Sequence, residues 1–483
     1  MTFAQQFFGI KNIFPPNEIA IKTTSSSLTY NELNIQIIKS VSYLEQIGIK
    51  KNDYIGITGD NSYHFIIVIF ALWQIGAIPV VINIRLLNDE IEELLQIANC
   101  KFILISNNLS DSFYTGKTDK FYYPFEVKEK TSYNLTSVDL NENAIIVFTS
   151  GSTGKPKGVE ISFNNLIESA QIGNQYFNHR PNDSWIASLP FYHIGGFSII
   201  IRSVLFGLTL ILPDNLEINN LGISLTSFDP SHASFVSTQL KRLIDLGKNP
   251  NKSLRNVLLG GGLIDQDLVD SAIKSGWQIS LSFGATETSS FVSILKPEQF
   301  EVKNGSAGKA LYPNKIIIVD ENKNILPNGV EGEIAIKSKS VAKGYLNNYT
   351  ETKKKFINGY YYTGDFGFLD KDDFLYVRAR RNDLIISGGE NVNPLEIENE
   401  LLKHPSIKEA AVFGLIDREW GQIIAAALVS KDNIKLSLEE IKLFLKNKIS
   451  SFKFPKKIFY VTELPKTELG KIRKQQLREM FKN

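Results

Sequence analysis

The sequence predicts an α/β fold: a large N-terminal lobe of parallel-rich sheets with helices, a β-rich subdomain, and a small α+β C-terminal domain. Three observations carry this. Short apolar, β-branched runs alternate with helix-length stretches through the first part of the chain, the order that places parallel strands beside crossover helices. Several of the apolar runs exit into glycine- or hydroxyl-rich segments. From about Lys315 the pattern changes to short strands separated by turns, among them Asn322-Lys323-Asn324 and Pro327-Asn328-Gly329, chemistry suited to hairpins.

In chain order, a helix is expected over Asn31–Ile47, a strand over Tyr54–Thr58, a helix over Asp89–Ala98 and a strand over Phe102–Ile105. Between them, Phe65 to Ile84 is nearly unbroken apolar sequence, long enough to span a bilayer. Gln74, Gly76 and Pro79 interrupt it and Ile78–Ile82 is β-branched, so it reads instead as a buried helix, a glycine stop and a core strand. Ser106–Val138 has no clear period and reads as a loop excursion. Strands follow at Ala144–Phe148, Val257–Leu259 and Ile279–Phe283, with a helix at Asp265–Lys274. Ile316–Asp320 and Glu333–Ile336 open the β-rich part. After Arg380-Arg381-Asn382-Asp383 come a strand, a glycine turn, a helix at Pro394–Lys403, more strands and a helix at Ser437–Ser450. The expected division is 1–381, with the β-rich subdomain at about 315–381, and 382–483.

The 483 residues exceed one ordinary core. With 43% hydrophobic and 22% charged residues, the chain reads as a globular protein with little disorder. A net charge of +2 supplies no field to recruit nucleic acid or anionic lipid, and no membrane insertion is expected. One cysteine, Cys100, excludes an intrachain disulfide and a cysteine-based metal cluster. The N-terminus lacks a basic segment followed by an apolar one, so a cytoplasmic location is expected.

The sharpest local signal is Thr149-Ser150-Gly151-Ser152-Thr153-Gly154-Lys155-Pro156-Lys157-Gly158, directly after the strand Ala144–Phe148. Glycines let backbone approach phosphate oxygens, hydroxyls and N–H groups donate to them, and lysine adds charge. It is not a Walker A loop, because Lys155 precedes proline and threonine stands where the first glycine should be. Gly260-Gly261-Gly262 follows a second strand, and a third ends at Phe283-Gly284-Ala285-Thr286-Glu287-Thr288. Ligands of open α/β sheets collect at strand carboxyl ends, and Glu287 is the natural hard-oxygen ligand for magnesium on ATP phosphates. Pro190-Phe191-Tyr192-His193-Ile194-Gly195-Gly196-Phe197 sets a histidine among aromatics and glycines; it reads either as a pocket wall or as a structural histidine. The five histidines show no metal-ligand spacing, so no zinc site is expected. Gly470-Lys471 lies in a basic C-terminal stretch, which reads as a solvated face or as a lysine aimed at a developing phosphate charge.

Six ordered blocks, Thr149–Gly158, Pro190–Gly195, Phe283–Thr288, Tyr362–Asp365, Arg380–Pro394 and Pro465–Lys471, resemble the adenylate-forming superfamily of acyl- and aryl-CoA ligases, firefly luciferase and peptide-synthetase adenylation domains. The resemblance covers nearly the whole chain. It implies an AMP-forming acid:CoA ligase using ATP, CoA and Mg2+ on a small-molecule carboxylic acid. Thr149 to Lys157 would grip ATP phosphates; Gly260, Gly261, Gly262 and Phe283 with Gly284 would flank adenine. Thr286 and Glu287 would hold the α-phosphate and magnesium, Asp365 the ribose hydroxyls, and Arg380 ribose and phosphate. Lys471 would orient the reacting carboxylate. The resemblance also implies a hinge at Asn382, whose rotation would withdraw Lys471 and bring Gly388, Gly389 and Glu390 to the CoA tunnel.

Within the superfamily the chain is most similar to the 2-succinylbenzoate:CoA ligase family of menaquinone biosynthesis, on segments that include Leu189–Gly196, Arg202-Ser203-Val204, Ser237–Leu243, Leu258–Gly262, Gly305–Lys309 and Asp383–Asn391. Tyr192 and the Gly195-Gly196 pair, where serine then glycine is expected, depart from that pattern beside the acyl pocket. A diacid needs a cation for its second carboxylate, and Arg202 is the candidate, with an arginine paired inside the fold as the other reading. His193 would line the pocket near the reacting carboxylate. Other aryl- or fatty-acid ligases and a catalytically silent nucleotide-binding paralogue remain as alternatives, and a homo-oligomer stays open.

Overall fold

The computed structural model describes residues 16–483 apart from 87, 126–137, 151–155, 261–265, 381–384, 388–389, 393, 418–419, 432–433, 447, 450, 468–469 and 482–483, and apart from the side chains of 150, 379–380, 386, 390–391, 421 and 452. The chain forms two compact units, Met1–Lys315 with Ile336–Tyr361, and Ile316–Ala335 with Tyr362–Asn483.

The first unit holds two sheets. One runs, edge to edge, Gly344–Tyr345, Pro156–Ser162, Asn143–Ser150, Ile78–Val81, Tyr54–Thr58, Phe102–Ser106, Lys120–Tyr123. Its middle pairings are parallel, and the Asn143–Ser150 and Pro156–Ser162 strands form an antiparallel hairpin. The other sheet has nine strands; Ser184–Ile186, His232–Phe235, Asn256–Leu259 and Ile279–Ala285 are parallel neighbours at its centre. The helices Tyr30–Gln46, Tyr63–Ile75, Phe163–Phe177 and Ile194–Phe206 share one apolar core with strands of both sheets.

Local chemistry sets the element ends. Thr29 and Glu32 form a reciprocal capping box on the first of these helices. The long apolar segment divides as its sequence predicts: helix Tyr63–Ile75 is capped by Ser62, ends at left-handed Gly76 (φ 78°), and gives way to strand Ile78–Val81. Residues Phe65 to Gln74 of that helix are all buried, and the Trp73 indole N–H donates to the Ala144 carbonyl at 2.6 Å. Among the described residues no helix is long and apolar enough to cross a membrane. The expected loop at 106–138 contains a strand, Lys120–Tyr123, parallel to Phe102–Ser106. It was hidden because it is a short edge strand, partnered on one side only, and its aromatic run has no apolar alternation to mark it.

Gly332–Lys337, Tyr360–Leu369 and Leu375–Arg380 belong to one sheet, most of whose residues fall in the second unit. A separate sheet runs Glu390–Val392, Ile385–Ser387, Gly421–Ser430, Ile407–Asp417, with Lys457–Tyr460 parallel to Gly421–Ser430. Alternation along the long hairpin divides its side chains between two cores: Ala410, Val412, Ile424, Ala426 and Leu428 face one cluster with Ile397, Leu401 and Leu445, while Ala411, Phe413, Ala425 and Ala427 face another with Leu464 and Leu477.

Candidate active site

The strands on either side of the glycine-rich segment form a hairpin whose register pairs Phe148 with Gly158 and Thr149 with Lys157. Gly151, Ser152, Thr153, Gly154 and Lys155 fall outside the described residues, as does the Ser150 side chain. Lys157 is 7% exposed and its Nζ lies 2.7 Å from Glu351 Oε2. Glu351 also accepts from Lys354 Nζ at 3.1 Å, and hydrogen bonds from these two cations hold its carboxyl below the usual carboxylate value. The structure thus couples Lys157 to a carboxylate in the first turn of helix Tyr349–Lys355, itself capped by Asn348.

Glu287 sits in a single 3-10 turn, Thr286–Thr288, at the end of strand Ile279–Ala285. The backbone there is held hard: Ser289 and Ser290 have φ of 54° and 127°, conformations that cost energy for residues with a side chain. Ser289 Oγ donates to the Ser340 carbonyl at 2.8 Å, Ser169 Oγ donates to the Ser289 carbonyl at 2.9 Å, and Ala342 N–H donates to the Glu287 carbonyl at 2.8 Å. The Glu287 residue is 8% exposed, and the Tyr345 hydroxyl donates to its Oε1 at 2.8 Å. Burial first, and then the adjacent carboxylate, push the Tyr345 phenol well above its ordinary value, so it remains a donor. Among the described residues no cation pairs with Glu287. A buried carboxylate with one hydrogen bond and no counter-ion is chemically suited to a hard divalent cation such as Mg2+.

Lys157 Nζ rests 5.4 Å from the centroid of the Tyr345 ring, so one tyrosine joins the strand that follows the glycine-rich loop to Glu287. Neither Tyr345 nor Glu351 was singled out from sequence. Nothing local marks them: Tyr345 arrives through the pairing of Gly344–Tyr345 with Val159 and Glu160, a contact far apart in the chain. The one sequence signal is the Asn-Tyr-Thr-Glu run at 348–351, an N-cap followed three residues later by glutamate.

His232–Phe235, Asn256–Leu259 and Ile279–Ala285 run parallel, so Gly260 and Thr286 leave the sheet at the same edge. Gly260 N–H donates to the Phe235 carbonyl; Gly261 and Gly262 lie outside the described residues. Phe283 is half-buried beside Gly284, where a Cβ would stand 2.1 Å from the Ser290 carbonyl oxygen, so only glycine fits between these strands.

His193 is the N-cap of helix Ile194–Phe206, half-buried, its ring 4.7 Å from that of Tyr192. At Gly196 a Cβ would meet the Pro190 carbonyl oxygen at 2.1 Å, whereas at Gly195 the nearest atom is Leu189 Cδ1 at 3.3 Å. Two turns on, Arg202 is buried, its guanidinium 4.9 Å from the Phe291 ring centroid and 5.1 Å from that of Trp185. Its Nη2 donates to Ser290 Oγ at 3.1 Å, and among the described residues no carboxylate pairs with it. Burial lowers its pKa to about 9, which leaves it charged at neutral pH.

In the second unit, Asp365 and Arg380 are Cα partners on neighbouring antiparallel strands, so the two residues expected at the ribose stand opposite each other. Asp365 N–H donates to Thr363 Oγ1 at 2.9 Å and Gly364 N–H to Glu333 Oε1 at 3.1 Å. Lys471 is exposed, one residue after left-handed Gly470 (φ 75°), in a turn closed by Thr467 N–H to the Lys471 carbonyl at 2.7 Å. Nearby Lys474 pairs with buried Glu398 at 2.8 Å and fixes the C-terminal helix to the core. Asn382, Gly388 and Gly389, and the Arg380 and Glu390 side chains, lie outside the described residues.

Residues 12–346 match the family of AMP-binding enzymes and 396–471 match the AMP-binding enzyme C-terminal domain. The 2-succinylbenzoate–CoA ligase of Listeria monocytogenes is 34% identical over 465 residues, covering 96% of this chain and 97% of that protein. The enzyme of the same description from Bacillus cereus is 34% identical over 471 residues, covering 96% of each. Among solved structures, o-succinylbenzoate CoA synthetase from Bacillus subtilis in complex with its acyl-adenylate intermediate superposes with a TM-score of 0.90 at 31% identity, over 96% of each chain; the same enzyme with ATP and magnesium ion gives 0.88 over 96% of this chain and 97% of that one. The buried, uncompensated carboxylate at a strand's carboxyl end, the hairpin carrying a glycine-rich loop and the full-length match agree: this chain belongs to the family of AMP-binding enzymes.

Proposed function

We propose that the chain is an ATP-dependent, AMP-forming acid:CoA ligase that converts 2-succinylbenzoate to 2-succinylbenzoyl-CoA in menaquinone synthesis. In the first half-reaction a carboxylate oxygen of the acid attacks the α-phosphorus of ATP and pyrophosphate leaves. In the second, the CoA sulfur attacks the acyl carbon, the thiol proton is lost and AMP leaves. Mg2+, when bound, offsets the phosphate charge that would otherwise repel the incoming carboxylate. Glu287 is the residue to hold it, Tyr345 keeps that carboxylate oriented, and Thr286 offers a hydroxyl to the α-phosphate. The glycine-rich loop, Gly260 and Phe283 we assign to ATP, and Asp365 and Arg380 to its ribose. Lys471 we assign to adenylation, and Gly388, Gly389 and Glu390 to CoA, with the hinge at Asn382 between domains 1–381 and 382–483. His193, whose ring stands beside Tyr192 at the start of the Ile194–Phe206 helix, lines the acid site. The protein is expected in the cytoplasm, without a nucleic-acid partner.

The observation that carries the choice of acid is Arg202: a charged guanidinium, 1% exposed, without a carboxylate partner among the described residues. A buried cation lacking its anion fits a substrate that brings one. The near full-length likeness to 2-succinylbenzoate–CoA ligases supports the same acid. The test is ATP- and CoA-dependent pyrophosphate release across 2-succinylbenzoate, benzoate, medium-chain fatty acids and amino acids, with the thioester identified by mass spectrometry. Preference for 2-succinylbenzoate is expected. Release with another acid would discard the substrate and keep the ligase; release with none would favour a silent nucleotide-binding paralogue.

A further inference from the structure

We propose that His179, Asp183 and His232 form a binding site for a borderline divalent metal ion such as Zn2+, separate from Glu287. No sequence spacing announces it; the fold assembles it. Helix Phe163–Phe177 ends at left-handed Asn178 (φ 48°), and His179 follows with its N–H donating to Asn174 Oδ1 at 3.1 Å. Asp183 precedes strand Ser184–Ile186, and His232 begins strand His232–Phe235, in parallel register with Trp185. One ligand atom from each of the three side chains lies within 4.8 Å of the others.

The two imidazoles are anomalous. His232 is 0% exposed; the ring nitrogens of both histidines are buried, those of His179 find no hydrogen-bond partner among the described residues, and the His232 ring faces the Ser184 backbone. A neutral imidazole carries one N–H donor and one acceptor, and buried polar atoms of native proteins are nearly always satisfied. Each neutral ring offers one lone pair, so two buried imidazoles beside a buried carboxylate make a set suited to a ligand that accepts electron pairs from imidazole. Mg2+ does not suit this set, whereas Zn2+ does. Burial is the main cause that holds both imidazoles below the ordinary histidine value.

The competing charges are Arg202 and Arg255. Arg255 Nη2 lies 2.6 Å from Asp183 Oδ2, which also accepts from Arg180 N–H at 2.7 Å. Asp183 Oδ1 takes no hydrogen bond among the described residues. Arg255 is a quarter exposed and can turn to water as the ion binds. The cluster sits at the amino ends of parallel strands, where His232 is in register with Asn256, four residues or about 13 Å from Gly260, so an ion here would pin the end of helix Phe163–Phe177 to the sheet and take no part in phosphate chemistry.

The experiment titrates chelator-stripped full-length protein with Co2+ and Zn2+ in saturating Mg2+, following Co2+ ligand-field absorption and its displacement by Zn2+. One saturable equivalent is expected in the wild type. His232→Phe, which keeps a ring against Trp185, and His179→Phe should each weaken binding more than about 100-fold, beyond what loss of an outer-sphere partner gives. Arg255→Gln should bind at least as tightly as wild type, because it removes the competing cation. Circular dichroism and metal-free unfolding establish that each variant is folded. No saturable binding by the wild type, or equal binding by the folded histidine variants, overturns the proposal.

Discussion

Replacing Arg202 with methionine separates substrate recognition from stability. The guanidinium contacts the rings of Phe291, Trp185 and Phe177 at 4.9, 5.1 and 5.9 Å and hydrogen-bonds Ser290. Desolvating an ion costs several kcal/mol, and each cation–π contact offsets about 0.5–2 kcal/mol of that. The two sides nearly cancel, so a methionine of similar length should leave the thermal midpoint unchanged within a few degrees or raise it. Recognition is different. A charge-assisted hydrogen bond to a substrate carboxylate is worth about 1.5–3 kcal/mol, or about 10- to 150-fold in kcat/KM. The assay compares 2-succinylbenzoate with its two mono-carboxylate analogues, each lacking one carboxyl. The loss should fall on the diacid and leave whichever mono-acid turns over nearly untouched. A proportional loss on diacid and mono-acid together, with a lower thermal midpoint, would make Arg202 a residue of the fold and remove the structural argument for a second carboxylate.

Other outcomes follow from the same geometry. Glu351→Gln deprives Lys157, 7% exposed, of its anion and should cost about 1–3 kcal/mol, read by calorimetric unfolding. Because the Glu351 carboxyl is held below its usual value, its contribution is full above the unfolded carboxylate pKa of about 4.3 and lost as pH falls through the lower folded value; the gap between wild type and variant should close below about pH 4. Lys471→Ala should abolish acyl-adenylate formation and spare thioester formation from preformed acyl adenylate in single-turnover assays, and equal loss in both would count against domain alternation. Gly196→Ala would place a Cβ 2.1 Å from a backbone oxygen and should destabilise by about 1–3 kcal/mol or more. Gly195→Ser, with only Leu189 Cδ1 near at 3.3 Å, should fold normally, as circular dichroism and the thermal midpoint will report.

What the sequence reveals and what it conceals divide by the range of the interaction. Strand Tyr54–Thr58, the Gly76 stop and the alternating hairpin of the second unit are written in consecutive residues, because burial repeats with the period of the element. The strands Asn143–Ser150 and Ile279–Ala285 and the exits that follow them are legible because each is a short apolar run giving way to glycines and hydroxyls in consecutive residues. The contacts of Tyr345 and Glu351 are not legible because their partners, Glu287 and Lys157, lie 58 and 194 positions away, and strand pairing of Gly344–Tyr345 with Val159 and Glu160 helps bring them together. Lys157 shows how this changes a reading. As one lysine of a phosphate loop it is expected to meet ATP, yet in the fold its ammonium is paired with Glu351 and lies over the Tyr345 ring, partners that no local pattern announces. The histidine cluster is the extreme case: His179 and His232 stand in unremarkable contexts, and parallel register, which no local pattern encodes, sets His232 beside Trp185. Sites built from one strand exit can be read from a chain, whereas sites built across register have to be found in the fold.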